Sequence, residues 1–416
     1  MWTILLPLFI ATLVCAAPAP SQSSSALVAQ STVLYASDDP NPILWGPDTS
    51  SIPQAIRGSL GATILGPQDV SLDKQNPDLL APPSTDSGSV GNAKWPFSLS
   101  HNRLQTGGWA RQQNEDVMPM ATAMSGVNMR LEAGAIRELH WHKTSEASWA
   151  YILKGSVQIS AVNSDGQNYV ATINEGDLWY FPAGVPHSLQ ATDALPDGAE
   201  FLLVFGTGDF SEDTTFLVTD WMAHVPKEVL AKNFQADISA FDHIPGQELY
   251  IFPAALPQPD SDAPISPQGN VPEPFTFKFS QVQPTQLSGG SVKVVDSTTF
   301  KIATGIAAAE VTINPENYIG TLRKMNGAFT SEIHAPTTTR RVMLDMYRRH
   351  TAHYVENTGN TTLRFLEIFN TDRFQDISLN QWLALTPPDM VKATLNLDDE
   401  TIARLSKTKN TVVGPA

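Results

Sequence analysis

Cysteine is almost missing from the 416 residues: Cys15 is the single one, which excludes a disulfide framework and cysteine-based metal or redox chemistry. Positive charge is scarce too. Lys and Arg total 26 against 42 Asp and Glu, a net charge of −16, so neither nucleic acid nor an anionic membrane surface is expected as a main partner. After the first residues, no stretch approaches the roughly 20 apolar residues of a membrane helix, and no membrane span is expected. What is plentiful is Pro (31) and Gly (26), within a 42% hydrophobic composition. That mixture favours short strands and many turns over long helices, with apolar material enough for one large or two ordinary domains.

The first apolar run, Leu5 to Cys15, is followed by the small residues Ala16 and Ala17 and then Pro18. It is too short to cross a bilayer and reads as a secretory signal over residues 1–17, with a buried N-terminal strand as the alternative. The chain is therefore expected to be secreted and extracellular, and Cys15 to leave with the signal. Asn360-Thr361-Thr362 is then a glycosylation acceptor sequence. Residues 18–94, rich in Ser, Pro, Gly and Asp and without periodicity, read as an extended arm.

From Trp95 onward the texture changes to short apolar runs bounded by Gly, Pro and Asp, such as Ala150-Tyr-Ile-Leu, Leu178-Trp-Tyr-Phe and Phe201-Leu-Leu-Val-Phe. These predict strands at the spacing of an all-β sandwich or barrel. The pattern repeats: Pro96-Phe97 returns as Pro274-Phe275, Gly107-Gly108 as Gly289-Gly290, and Phe201-Leu-Leu-Val-Phe as Phe365-Leu-Glu-Ile-Phe. The copies therefore define two tandem β domains, 95–253 and 274–416, joined by a Pro- and Asp-rich linker, 254–273. Each ends in a helical pattern, Pro226 to Phe241 and Pro388 to Leu405. The offset between copies shrinks from about 178 residues at the Pro-Phe pair to about 164 at the later strand, so about 14 residues are short in the second copy.

The first copy carries the chemistry. In Gly134-Ala-Ile-Arg137-Glu-Leu-His140-Trp-His142-Lys-Thr-Ser-Glu146, two imidazoles stand at i and i+2, which a strand presents on one face. Gly176-Asp-Leu-Trp-Tyr-Phe-Pro-Ala-Gly-Val-Pro-His187 adds a strand, a Pro-Gly turn and a third imidazole. A His pair alone is more often structural. Three neutral imidazoles and one carboxylate, however, make an N3O set suited to a divalent transition metal with open positions for substrate.

The spacing Gly-(x5)-His-x-His-(x3)-Glu, followed by Gly-Asp-(x4)-Pro-x-Gly-(x2)-His, resembles the two cupin motifs. With Arg137-Glu-Leu-His140-Trp-His142 and the duplicated halves, the chain resembles the secreted bicupin oxalate decarboxylases over roughly Trp95 to Ile402. The resemblance implies a cupin β-barrel in each half, Mn(II) held by His140, His142, Glu146 and His187, dioxygen as a co-catalyst, and Arg137 holding oxalate beside the metal. It implies a carbon–carbon lyase that converts oxalate to formate and CO2, and it makes a homo-oligomer, trimer or hexamer, the expected assembly. Between His142 and the next strand this chain has two more residues than the family pattern. Counting forward gives Glu146 as the carboxylate ligand and counting back gives Ser148; Glu146 is favoured because a carboxylate suits a hard cation. In isolation, Ser211-Glu212-Asp213-Thr214 is a plain polar turn. Placed after the Phe201 strand, it matches the family's mobile lid, whose Glu acts in proton transfer. The alternatives are an oxalate oxidase with the same metal site and a non-catalytic storage or binding bicupin.

The second copy lacks the motif where it should stand, reading Asn317-Tyr-Ile-Gly-Thr-Leu-Arg-Lys-Met-Asn. The third base of each codon taken with the first two of the next gives a different text. Glu316 through Thr321 can then encode Glu-Leu-His-Trp-His, Arg323 through the Gly after Asn326 can encode Gln-Asp-Glu-Trp, and Arg341 to Arg348 can encode Gly-Asp-Val-Gly-Tyr-Val-Pro. These strings resemble the two family motifs, so residues 315–351 read as frame-shifted. The normal frame resumes at His353, which matches the last ligand of a second site but stands there as a remnant; no second metal centre is expected in this chain. The paired arginines Arg340-Arg341 and Arg348-Arg349 interrupt strand alternation, so the second barrel is expected to be disrupted. Sequencing the source DNA across codons 315–351 should find compensating insertions or deletions at the two ends; an uninterrupted frame would overturn this reading.

Overall fold

The computed structural model describes residues 50–57, 60–75, 80–81, 94–143, 148–315, 318–322, 328–334, 343–347, 353–357, 359–375 and 377–409. In the arm these form one small hairpin, Ala55–Arg57 with Leu60–Ala62, and the helix Val70–Gln75.

The first half is two facing antiparallel sheets, the layout of a cupin barrel. One sheet has the order 276–277, 178–181, 148–154, 199–205, 125–131, 108–113, 102–105. The other has the order 168–174, 156–162, 187–191, 136–141, 216–217, with Ile251–Phe252 also pairing with Ile136–Trp141. Between the sheets lies a core that includes Val127, Met129, Ala150, Ile152, Ile159, Trp179, Phe181, Phe201 and Leu203. Side chains of alternate parity, among them Trp149, Tyr151, Leu178, Tyr180, Leu202 and Val204, enter a second core with Phe279, Val295, Phe300, Leu366 and Ile368 from the second half. Strands Ser148–Lys154 and Ala199–Phe205 are thus covered on both faces. That is why their sequence runs apolar without alternation.

The second half repeats the plan with a gap. Its large sheet has the order 285–287, 290–295, 307–313, 363–369, 328–334, 343–347, 94–96, while its small sheet has three strands, 353–356, 318–322 and 377–378. Among the described residues, no strand takes the places that Ser156–Val162 and Asn168–Asn174 hold in the first half. The expected shortening of the second copy falls there. Each half also lends its leading strand to the other: Thr276–Phe277 pairs with Leu178–Phe181, and Lys94–Pro96 pairs with Met343–Tyr347. In space, the two barrels therefore interlock across the chain positions 95 and 274 where the repeats begin.

The helical patterns expected from Pro226 and from Pro388 form Lys227–Phe234 with the 3-10 turn Ile238–Phe241, and Pro388–Leu395 with Asp399–Ala403; each is preceded by a short helix that the pattern did not show, Val218–Ala223 and Leu379–Ala384. The linker lies on the first barrel rather than free of it. Asp260 accepts hydrogen bonds from Gln158 Nε2 at 2.8 Å and from Thr172 N at 2.8 Å. The halves are also tied by polar contacts: Tyr151 donates to Glu310 at 3.1 Å, and Asn370 Nδ2 donates to the carbonyls of Ala123 at 2.8 Å and Gly206 at 3.0 Å. Asn370→Ala removes two bonds to main-chain acceptors and should cost about 1–2 kcal/mol of stability, read as a lower denaturant midpoint.

Candidate metal centre

His140 lies on strand Ile136–Trp141, His142 just past its end, and His187 opens strand His187–Ala191. The ladder sets His187 opposite His140, and the three ligand atoms that these buried histidines offer lie within 4.8 Å of one another. They are the one such group of three or more metal-ligating side chains among the described residues. Ring centroids are separated by 4.2 Å for His140 and His187, 5.1 Å for His140 and His142, and 5.3 Å for His142 and His187.

Second contacts fix the rings. His140 Nδ1 meets the carbonyl of Glu138, and His187 Nδ1 meets that of Val185 at 2.7 Å. With those nitrogens donating, each ring presents its Nε2 lone pair to the common centre. His142 is held instead by the edges of Phe205 and Phe210, at 5.1 and 5.4 Å between centroids, and its buried Nδ1 has no hydrogen-bond partner among the described residues. Burial, reinforced by Arg137 and the neighbouring imidazoles, holds His140 and His142 well below the usual histidine range. Burial pulls His187 down to about 4. Three neutral imidazoles converging in a dry site, one with an unsatisfied nitrogen, fit a divalent metal. Glu146 lies outside the described residues. Ser148, reached by the alternative count, is buried at the start of its strand with no hydrogen-bond partner for Oγ among the described residues.

Arg137 is also buried beside this cluster. In a regular strand, residues three apart face opposite ways. Here the register slips: His187 pairs with His140 while Leu189 pairs with Arg137, two steps against three. The bulge lets both Arg137 and His140 point inward, and Leu139 between them is turned out to solvent. Arg137 Nη2 binds Glu212 Oε2 at 2.7 Å, and its Nε and Nη1 have no hydrogen-bond partner among the described residues.

Glu212 is delivered by a short 3-10 turn, Glu212–Thr214, capped by Ser211, whose Oγ accepts from Asp213 N at 3.2 Å. Thr214 Oγ1 donates to Ser211 O at 2.9 Å. Gly208 begins this segment where a Cβ would stand 2.0 Å from the Ala121 carbonyl, so only glycine lets the chain pass there. Of the four residues of the expected lid, Glu212 is turned inward and buried, whereas Asp213 is exposed, 3.4 Å from Arg103.

Three neighbours carry no sequence signal of their own. Gln112 holds this turn from both ends of its amide, accepting from Glu212 N at 2.9 Å and donating to Ser211 Oγ at 3.2 Å. Tyr250 donates to Glu212 Oε2 at 3.1 Å, with the Arg137 guanidinium 4.1 Å and the Arg103 guanidinium 3.7 Å from its ring centre. Burial and the facing Glu212 carboxylate push its phenol well above the usual tyrosine range, so it stays a donor. A cleft of about 410 Å³ reaches Glu212 and Tyr250 from outside, lined also by His101, Arg103 and Arg111. His353 lies on strand His353–Glu356, in register with Thr321 rather than with a histidine.

The pKa displacement of His187 has a consequence for the metal-free protein. Unfolded, a histidine takes up its proton below its ordinary 6.5; folded, His187 does so only near 4. Stability should thus fall as pH drops from about 6.5 to about 4, by on the order of 3 kcal/mol from His187 alone. Denaturant titrations of chelator-stripped protein at pH 7 and pH 4.5 measure this, and Mn(II) at pH 7 should raise the midpoint.

A cupin family model matches residues 99–240. Oxalate decarboxylase OxdC of Bacillus subtilis is 45% identical over 381 residues, covering 88% of this chain and 97% of the relative. A probable oxalate decarboxylase of Arthroderma benhamiae is 37% identical over 378 residues, covering 85% and 91%. A solved structure of Bacillus subtilis oxalate decarboxylase, studied for its Mn(II) centres, superposes with a TM-score of 0.73 at 43% identity, covering 88% of this chain and all of the other. With the cupin barrel, the His cluster and relatives matched nearly end to end, the chain belongs to the bicupin oxalate decarboxylase family.

Proposed function

We propose that the first barrel of this chain is a manganese-dependent oxalate decarboxylase site, converting hydrogen oxalate to formate and CO2. The observation that carries the reading is the inward-turned Glu212, joined to Arg137 beside three neutral, converging imidazoles. His140, His142 and His187 would hold the metal, with Glu146 as the fourth ligand. Bound there, Mn(II) supplies the charge that anchors a small dicarboxylate and the redox chemistry for which dioxygen serves as co-catalyst.

The chain's own residues do the rest. Arg137, buried and with two nitrogens unpartnered among the described residues, offsets the substrate's negative charge where water cannot. Glu212 takes the proton from the substrate carboxyl and, once CO2 has left, returns a proton to the formyl carbon. No net proton is consumed. Tyr250 and Gln112 keep that carboxylate in place between the two transfers, and the lid excludes bulk water.

Oxalate oxidation at the same metal would need no such protonation of carbon, so Glu212 favours formate as the product. A storage role needs no intact His cluster and no buried arginine. Secretion is supported by the apolar run Leu5 to Cys15. Assembly into a trimer or hexamer is supported by the exposed Trp221, Val229, Trp382 and Met390 on the paired helical segments. Glu212→Ala should abolish formate release from oxalate while metal content stays unchanged. Formate output at the parent's rate would remove Glu212 from the mechanism.

A further inference from the structure

Glu138 stands between Arg137 and His140 and is 1% exposed. Its carboxylate accepts from Thr219 N at 2.8 Å, from Thr219 Oγ1, from Leu249 N at 2.9 Å and from Tyr250 N at 2.8 Å. Its own main-chain N–H donates to the Tyr250 carbonyl at 2.9 Å. One buried carboxylate thus ties two separate chain segments to its own strand.

Those segments are the ones that make the lid work. Phe216–Leu217 closes the lid and pairs with Trp141 and His140, and Thr219 follows at once in helix Val218–Ala223. Glu138 takes both donors of Thr219 and so pins the downstream stem of the lid. Tyr250 is the residue whose hydroxyl meets Glu212, and its backbone sits at φ 58°, a left-handed conformation unfavourable for an aromatic residue unless its surroundings impose it. The two N–H groups that Glu138 binds, of Leu249 and Tyr250, are the local restraint at that turn. Glu138 also occupies the bulge that aims Arg137 and His140 inward.

We propose that Glu138 is a positioning residue for lid closure: by tethering the lid's downstream stem and the Tyr250 turn to the metal strand, it sets how firmly Glu212 is held against Arg137. It touches no reacting atom. Hydrogen bonds to an ionised acceptor are the strong kind, and four on one carboxylate leave none of its sites for substrate or metal. Glutamine has the same shape but replaces one acceptor oxygen with an NH2 that must face donors. Glu138→Gln therefore loses about half of the tether without opening a cavity.

This inference rests on the reading of Glu212 as the proton carrier, and the test separates the two. In the Mn(II)-loaded protein, Glu138→Gln should keep the parent's metal content. Its kcat for formate should fall about tenfold while KM for oxalate moves little, the pattern of a lost closed geometry. Hydrogen exchange across 208–216 should rise, and so should the peroxide share of the product. Thr219→Val, which removes only the hydroxyl donor, should shift the same readouts in the same direction by less. Unchanged exchange at 208–216 and an unchanged product ratio in Glu138→Gln would overturn the proposal, as would a rate loss that merely follows lost metal. Faster exchange in Glu138→Gln beside full formate output from Glu212→Ala would instead keep the tether and discard the role given to Glu212.

Discussion

The pairing of strand Ile136–Trp141 with strand His187–Ala191 governs this site. In one stretch of ladder it sets His187 across from His140, and through a one-residue slip it turns Arg137 to the same side. A regular ladder would keep the two histidines but send the guanidinium to the other face. The imidazoles and the guanidinium would then be separated by the sheet itself. The bulge joins them, and the buried carboxylate of Glu138 gives the extra residue somewhere to go.

Burial makes the chemistry consistent. Imidazoles kept out of water stay neutral and hence available as donors to a cation. Arg137, in the same dry space, cannot lose its charge and must be balanced. Glu212 balances it, arriving on a short turn rather than on a strand. The fixed guanidinium thereby holds the carboxylate of the turn beside the three imidazoles.

Much of this was legible from residue order. His140 and His142 share a face by strand periodicity, and the strand and Pro-Gly turn before His187 add a third imidazole. The duplicated Pro-Phe and Phe-Leu segments disclose two barrels, and among the described residues the shorter second copy has a small sheet without counterparts of Ser156–Val162 and Asn168–Asn174. The Ser211 to Thr214 turn stands where the family pattern puts a lid. Gln112, Tyr250 and Arg103 were not legible, because each belongs to an unremarkable stretch and gains its meaning only from a neighbour about 100, 38 and 110 residues away. Nor did anything in the order of residues show that the strands Lys94–Pro96 and Thr276–Phe277 cross into the opposite barrel.

The chain's own text therefore determined the local facts: strand and turn, duplication, donor types and their spacing, since these follow from side-chain chemistry and short-range backbone geometry. Tertiary structure decided which way Arg137 faces, which side chains steady Glu212, and what the buried Glu138 holds. Those depend on ladder register and on contacts between remote segments, and a single-residue slip in register reverses the direction of every side chain beyond it.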